Sequence, residues 1–378
     1  MSPGARGLRV GVDARSLLQR HPRGEGKTLL KLYTHLVAQR PHWKITFFGD
    51  QHTPEACLAL PPGVQSMHMT LPGNRYDSWE NLCLPLMSLR AGCDVLHCAS
   101  SSGPRWSPAP SVLTVHDLIP VVADDGVDAA FKQAFLRRLK NGLRHARKVI
   151  AVSENTRQDL LRTLPETQVA IDVVHWGASE AQTRAQAIDD STPFVGPTAP
   201  YLMAFGGEAP RKNTAYVLDR FAAVAGSMPS LQLVLVGVTG ERERRAVSSR
   251  IAQTGLEGSL HMPGFVDEAQ LDLLLRRALA LFYPSLYEGF GMPVLEAIER
   301  GVPVVASNLS SLPEILLDVP GCFDLTDTAA VESALQGLAS DDAYRADWAA
   351  RQRGVLSRFD WAGTARKTAA LLESAAGG

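Results

Sequence analysis

Residues 278–301, A-L-A-L-F-Y-P-S-L-Y-E-G-F-G-M-P-V-L-E-A-I-E-R-G, restrict the fold more than any other stretch. Ala278 to Tyr283 is apolar throughout, the pattern of a strand buried on both faces. Pro284 and Ser285 end it, and a loop follows with Glu288, Gly289, Phe290 and Gly291. Pro293 belongs in the first turn of a helix, where its missing N–H costs nothing. Val294, Leu295 and Ile298 give that helix an apolar face, and Gly301 stops it. Strand, glycine-flanked loop and helix N-terminus direct backbone N–H groups and a positive dipole end into one crevice, which suits an anion. Glu288 and Glu296 bracket that crevice. A carboxylate does not bind phosphate, so the pair suits neutral groups beside the anion, such as sugar hydroxyls. A plain βα turn with solvated glutamates leaves the same local pattern.

The chain has 378 residues, which predicts two or three domains. A hydrophobic content of 45% with 20% charged residues is that of a soluble globular protein. The net charge of -1 gives no bulk attraction to nucleic acid or membrane. Cys57, Cys83, Cys93, Cys98 and Cys322 form no C-x-x-C pair, so reduced thiols and a cytoplasmic setting are expected. No apolar run reaches 18 residues and the first residues lack a signal-peptide core, so no transmembrane helix and no leader are predicted.

Short apolar strands are predicted at Leu8–Val12, Lys44–Phe48, Asp94–His97, Val112–Asp117 and Val149–Val152. A helix should run from about Lys27 to Gln39, after the loop Gly24-Glu25-Gly26. Lys27-Thr28 looks like the end of an ATP-binding P-loop, but His21 stands where its first glycine is required, which excludes that motif. A phosphate can still approach this glycine loop; an ordinary strand-to-helix turn reads the same way. Residues 50–78 give no assignable pattern. His116 and Asp117 fall at the carboxyl end of a predicted parallel strand, the edge where open α/β sheets bind ligands. Residues 129–148 read as an amphipathic helix, with Phe131, Phe135, Leu139, Leu143 and Ala146 as its stripe. Lys132, Arg137, Arg138, Lys140, Arg144, Arg147 and Lys148 surround the stripe, either as a docking face for anionic lipid or as a solvated face.

Small residues, Pro193 and Pro197 place a linker between Thr183 and Ala199. A second alternation of strands and helices then begins at Tyr201–Phe205. It ends in helices at about 328–357 and 361–374, the last of which is expected to return to the first domain. Two such runs imply two doubly wound parallel sheets with a ligand cleft at their carboxyl edges. Arg211-Lys212-Asn213 follows strand 201–205 through Gly206-Gly207, on the same sheet edge as the Glu288 loop. Two cations there suit a diphosphate.

P-S-L-Y-E-G-F-G-M-P-V-L-E-A, with its two glutamates, resembles the signature of retaining GT-B glycosyltransferases of family four. P-R-K-N at 210–213, M-P-G-F-V at 262–266 and G-V-P-V-V-A-S-N at 301–308 match in the same order, and G-E-G-K-T, D-V-L-H and V-H-D-L-I-P fit more loosely. V-H-D-L-I-P and S-S-L-P-E are similar to elements of bacterial mannosyl- and rhamnosyltransferases of surface polysaccharide assembly. The resemblance implies two Rossmann-like domains facing across a cleft, at 1–195 and 196–360, with helix 361–378 completing the first. It implies that Arg211 and Lys212 hold the donor diphosphate and that Glu296 binds the ribose. Glu288 with the amides of Gly289, Phe290 and Gly291 would hold the donor sugar and its phosphate. His116 would reach that sugar near the reacting centre, Gly24 and Gly26 would admit the phosphate, and main-chain groups around Phe265 would read the base. Glu25, Lys27 and Thr28 depart from the usual apolar, arginine and tyrosine positions.

The implied activity is retaining transfer of a hexosyl residue, mannose from GDP-mannose as the first choice, to a saccharide or lipid-linked saccharide. The protein would lie in the cytoplasm or at the inner face of the membrane, touching it through 129–148. No cofactor and no metal are expected, and no tripeptide has Asp at both ends. A GT-B nucleotide-sugar epimerase and a catalytically idle partner subunit are the alternatives. A nicotinamide oxidoreductase is disfavoured, because no G-x-G-x-x-G follows the first strand.

Overall fold

The computed structural model describes residues 7–18, 24–50, 59–70, 77–123, 125–178 and 194–377. It divides into two compact units. Unit 1 comprises Met1–Val122, Val127–Gly177 and Phe359–Gly378, and unit 2 comprises Ala123–Gly126 and Ala178–Arg358.

Unit 1 is built on strands β1 (Arg9–Asp13), β2 (Lys44–Gly49), β3 (Gln65–His68), β4 (Val95–Cys98), β5 (Ser111–Val115), β6 (Ala146–Ala151) and β7 (Ile171–Val173). They form one seven-stranded sheet in the order β3-β2-β1-β4-β5-β6-β7. All of its pairings are parallel. Its helices are α1 (Gly24–Gln39), α2 (Leu84–Ala91), α3 (Ile119–Val122), α4 (Ala129–His145) and α5 (Glu154–Thr163). Parallel pairing requires crossovers, so helices cover the faces and the central strands stay apolar; every residue of β4 and β5 is buried. Ser153 caps α5 by accepting from Thr156 N–H.

Unit 2 repeats the plan with β8 (Tyr201–Phe205), β9 (Gln232–Val236), β10 (Leu260–Gly264), β11 (Ala280–Tyr283), β12 (Val304–Ser307) and β13 (Cys322–Phe323). The order is β10-β9-β8-β11-β12-β13, again all parallel. Its helices are α6 (Thr214–Ala225), α7 (Glu241–Ala252), α8 (Glu268–Arg277), α9 (Met292–Glu299), α10 (Leu312–Ile315), α11 (Thr328–Ser340) and α12 (Asp342–Arg353). The chain then closes unit 1 with α13 (Trp361–Gly377), whose contacts there are with α1, β4, β5 and β6.

Several elements differ from their sequence signal. Helix α4 ends at His145, and Ala146, Arg147 and Lys148 open β6 instead, where Ala146 pairs with Ser111 and Lys148 with Val112. Sheet pairing here overrides a helical pattern that runs on unbroken. Phe131 is 45% exposed, so the buried stripe of α4 is Leu139, Gly142 and Leu143. Helix α1 starts at Gly24 rather than Lys27, which puts both glycines inside its first turn. The stretch 328–357 is cut at Asp341, whose carboxylate caps α12. Of the linker expected at 183–199, residues 183–193 lie outside the described residues.

Candidate functional site

Each sheet reverses its winding at one place, between β1 and β4 in unit 1 and between β8 and β11 in unit 2. Loops diverge at such a point and leave a crevice at the carboxyl ends of the strands.

In unit 2 the two loops are those singled out by sequence. After β8, Pro210–Lys212 forms a 3₁₀ turn, closed by Asn213 at φ +55°. After β11, the glycine loop ends at Gly291 with φ +105°, and Pro293 sits in the first turn of α9. A Cβ at Gly291 would lie 2.7 Å from Leu312 Cδ2, so a side chain is excluded by both conformation and space.

Glu288 joins the two loops. Its Oε1 accepts from Lys212 Nζ at 2.7 Å, Tyr283 OH at 2.8 Å, Ser285 Oγ at 2.8 Å and Arg211 Nη1 at 3.2 Å. Leu286 N–H donates to the Arg211 carbonyl, and Asn213 Nδ2 donates to that of Pro284. From below, Ser310 Oγ accepts from Glu288 N–H, while Ser311 Oγ donates to the carbonyls of Glu288 and Phe290. The loop is therefore fixed at both ends and along its backbone.

Burial works to raise the Glu288 pKa, but Lys212 and Arg211 outweigh it and hold the carboxyl below its usual range. Burial and the neighbouring Glu288 push the Tyr283 phenol far above its ordinary value, so it stays a donor. Arg211 has a second acid partner, Asp125, which accepts from its Nε at 2.8 Å and its backbone N–H at 3.2 Å. Two cations thus face two carboxylates at the N-terminal end of α9, with Arg211 and Lys212 side chains 19% and 18% exposed.

Sequence reasoning places Arg211, Lys212, Glu288, Gly289, Phe290 and Gly291 together, and the structure does the same. It does not anticipate that the carboxylate of Glu288 anchors both cations. Tyr283, Ser285 and Asp125 are missed. The first two sit at the end of a strand whose pattern is only apolar, and Asp125 carries no local signal. Glu296 lies on α9 but outside this network; its side chain is half-buried and makes no hydrogen bond among the described residues. Phe265, just past β10, is 77% exposed.

His116, Gly24 and Gly26 belong to unit 1. His116 follows β5, where its Nε2 meets the Ala99 carbonyl at 2.7 Å and its ring lies 5.7 Å from that of Trp176. Nε2 must then carry the proton, which leaves Nδ1 as the acceptor in the neutral ring. Gly26 has a packing reason to be glycine, since a Cβ there would fall 2.2 Å from the Ser16 carbonyl oxygen. Gly24 is exposed, with open space beside it.

Comparison with known proteins agrees with the two-unit division. Residues 195–354 match the family model for glycosyl transferases group 1, and residues 23–181 match that for glycosyltransferase family 4. The O-antigen chain mannosyltransferase B of Escherichia coli is 33% identical over 43% of this chain and 42% of its own length. The Escherichia coli serotype-specific mannosyltransferase WbdA is 24% identical over 68% of this chain and 32% of its own. The chain therefore spans less than half the length of these relatives. Among solved structures, Anabaena HepE in complex with UDP and glucose superposes with a TM-score of 0.67 at 18% identity, covering 97% of this chain and 100% of that one. With both halves matched and the two parallel sheets in place, the chain belongs to the family-4 glycosyltransferases of the GT-B fold.

Proposed function

We propose that this protein transfers a hexosyl residue from a nucleotide sugar to a saccharide acceptor with retention of configuration. The observation that carries the reading is the pairing of Arg211 and Lys212 against Glu288 at the N-terminal end of α9. As a nucleoside diphosphate leaves, negative charge grows on the β-phosphate. Fixed cations and a helix N-terminus stabilise it without reorganising. A bound metal is unnecessary to that argument, so activity is expected to survive EDTA. Glu288 is poorly suited to act as a covalent nucleophile, since one of its oxygens already receives four donors. The acceptor hydroxyl then attacks from the face the phosphate leaves, and a phosphate oxygen takes its proton. Glu296 would bind the ribose and main-chain groups near Phe265 the base. The roles of His116, Gly24 and Gly26 toward the donor are part of the same proposal.

Mannose from GDP-mannose is the first choice of donor, and surface polysaccharide synthesis the setting. Both are supported by the mannosyltransferase and O-antigen names of the relatives. No helix among the described residues is long and apolar enough to cross a membrane. Loose docking on anionic lipid through α4 and the start of β6 is proposed beside this, on the exposed Arg137, Arg144 and Arg147. Liposome flotation of the wild type and of Arg137→Glu/Arg144→Glu/Arg147→Glu tests it; equal behaviour of the two removes the idea.

The deciding experiment incubates the protein with nucleotide sugars and a neutral mannoside, with and without EDTA, and reads the product by NMR. A glycoside with the donor's anomeric configuration is expected. An inverted product, turnover only with added metal, or an epimerised donor formed without acceptor would each overturn part of the reading. Absence of turnover with every donor would favour a non-catalytic partner subunit.

A further inference from the structure

Among the candidate residues of unit 1, only His116 brings a polar side chain. Its backbone is clamped on two sides. Ser101 Oγ accepts from its N–H at 3.0 Å, and Thr156 Oγ1 donates to its carbonyl at 3.3 Å. Ser101 holds φ +54°, a left-handed conformation uncommon for serine, while its own N–H donates to the Thr114 carbonyl. The imidazole is fixed less completely. The bond from Nε2 to the Ala99 carbonyl selects one of the two flipped orientations of the ring. The torsion of such a ring on its Cβ is broad, so one hydrogen bond leaves the tilt of the plane loose. Nδ1 makes no hydrogen bond among the described residues and is not enclosed, so the tilt decides where that acceptor is aimed.

A run of aromatic rings supplies the missing restraint. Trp176 lies 5.7 Å from the His116 ring with 32° between the planes, and Trp361 lies 5.8 Å from Trp176 at 29°. Both are offset contacts of the kind aromatic pairs favour. The two indoles are 5% and 3% exposed. Trp176 follows β7, a three-residue edge strand with little hold of its own. The start of α13 holds that segment instead. A Cβ at Gly177 would lie 2.3 Å from Trp361 N and 2.6 Å from Trp361 Cα, so only glycine admits the helix this close. Thr364 Oγ1 donates to the His175 carbonyl at 2.8 Å, and the rings of His175 and Phe359 lie 5.5 Å apart. Trp361 Nε1 is buried and meets no acceptor among the described residues. A buried donor left unmet is unfavourable, so the indole serves through its face and not its N–H.

We infer that Trp176 and Trp361 are positioning residues for the His116 imidazole, and that the first residue of the returning helix thereby sets the aim of Nδ1. The effect on rate rests on the transferase reading, in which His116 meets the donor sugar. The ring geometry does not rest on it.

The test reads the His116 ring nitrogens by NMR on the full chain with isotope-labelled histidine. The signals are assigned by difference from His116→Ala, at about pH 8, where an ordinary imidazole is neutral. Wild type should show one tautomer, with Nε2 protonated and Nδ1 bare. Trp361→Leu fills much of the indole's volume without a ring face. It should move both signals towards the average of exchanging tautomers, and Trp176→Leu should move them further. Trp361→Phe should return them most of the way to wild type. Steady-state kinetics on the same samples read the consequence. Trp361→Leu should lower kcat roughly tenfold with the donor KM within about twofold, a part of what a misplaced group can cost. Trp361→Phe should recover kcat to within about threefold of wild type, because a ring face is restored. In a His116→Ala background, Trp361→Leu should add less than about twofold, because its effect passes through a ring that is gone.

Signals unmoved in both leucine variants overturn the inference, as does a mixture of tautomers in wild type. An equal fall in kcat from Trp361→Leu with and without His116 overturns it too, since a purely structural role would give that result. Should either leucine variant fail to fold, the other carries both readings. Moved signals with kcat unchanged would leave the positioning in place and remove His116 from the transferase reading.

Discussion

The two reversal points use the same ingredients to opposite ends. In unit 1, Arg15 is shut in: its side chain is 7% exposed, two carboxylates hold it, and Trp79 packs 4.1 Å from its guanidinium. In unit 2, Arg211 is about one-fifth exposed and shares Glu288 with Lys212. A cation walled in by acids can do little but hold loops together. Two cations converging on one carboxylate oxygen are collected where an incoming anion can bargain for them. Burial, more than residue type, distinguishes the two networks, and only the one in unit 2 leaves its cations open to a ligand.

Separating the two is straightforward by substitution. Arg15→Met should give the largest effect, because it strands Asp13 and Glu80 together in the interior. A loss of about 3–5 kcal/mol is expected in the unfolding of unit 1. Calorimetry should show that transition shifted, and an unmoved midpoint would mean that the network is dispensable.

Next is pH. His97 is fully enclosed between the Tyr33 hydroxyl and Thr114 Oγ1, each at 2.8 Å. Burial first, and then the neighbouring His116, lower its pKa to about 4. Folding therefore disfavours the proton, and the unfolded chain binds it more readily. The stabilisation is complete above about pH 6.5 and is lost as the pH falls towards 4, on the order of 3 kcal/mol in all. The His97 ring resonances should not titrate until that range, and a midpoint near 6.5 would contradict the enclosure. Unit 2 should behave differently, because the Glu288 carboxyl is held below its ordinary range. Its contribution is present above the usual carboxylate pKa and disappears only in stronger acid.

Arg211→Ala and Lys212→Ala come third. Each should lower kcat/KM by roughly a hundredfold, the scale of one preorganised contact in a transition state, with the fold retained. Near-normal turnover in either would place the diphosphate elsewhere. Glu296→Gln should be milder, raising the donor KM about tenfold with little change in kcat, since the ribose does not change during reaction. A fall in kcat with KM unchanged would put Glu296 beside the reacting carbon instead.

The contrast also explains what could be seen in the sequence. The β11-loop-α9 segment is legible because its strand, glycines, proline and helix are contiguous and each obeys a local rule. The joining of Arg211 and Glu288 is legible only through sheet logic: strands followed by loops on one edge bring residues 77 positions apart together. The Arg15–Glu80 pair, 65 positions apart, and the Arg211–Asp125 pair, 86 apart, have no such cue. Asp and Glu outside a periodic pattern look alike whether solvated or buried. The ends of elements fail for a related reason. Ala146-Arg147-Lys148 satisfies the helical period of α4, and only the neighbouring β5 makes it a strand. The edge strands β7 and β13 have three and two residues, too few to show any period.

The return of α13 to unit 1 has a consequence for biosynthesis. Gln39 Nε2 donates to the Ala362 carbonyl, Arg40 pairs with Glu373, and Thr364 Oγ1 donates to the His175 carbonyl. Residues separated by more than three hundred positions therefore meet in one unit. A ribosome finishes nearly all of unit 2 before it supplies these partners for α1. During translation the earlier-made unit is left with an open face while the later-made one already has all its strands. Helix α1 is thus made well before the partners that complete its packing, and its exposed surface in that interval is where a nascent-chain chaperone would find its hold.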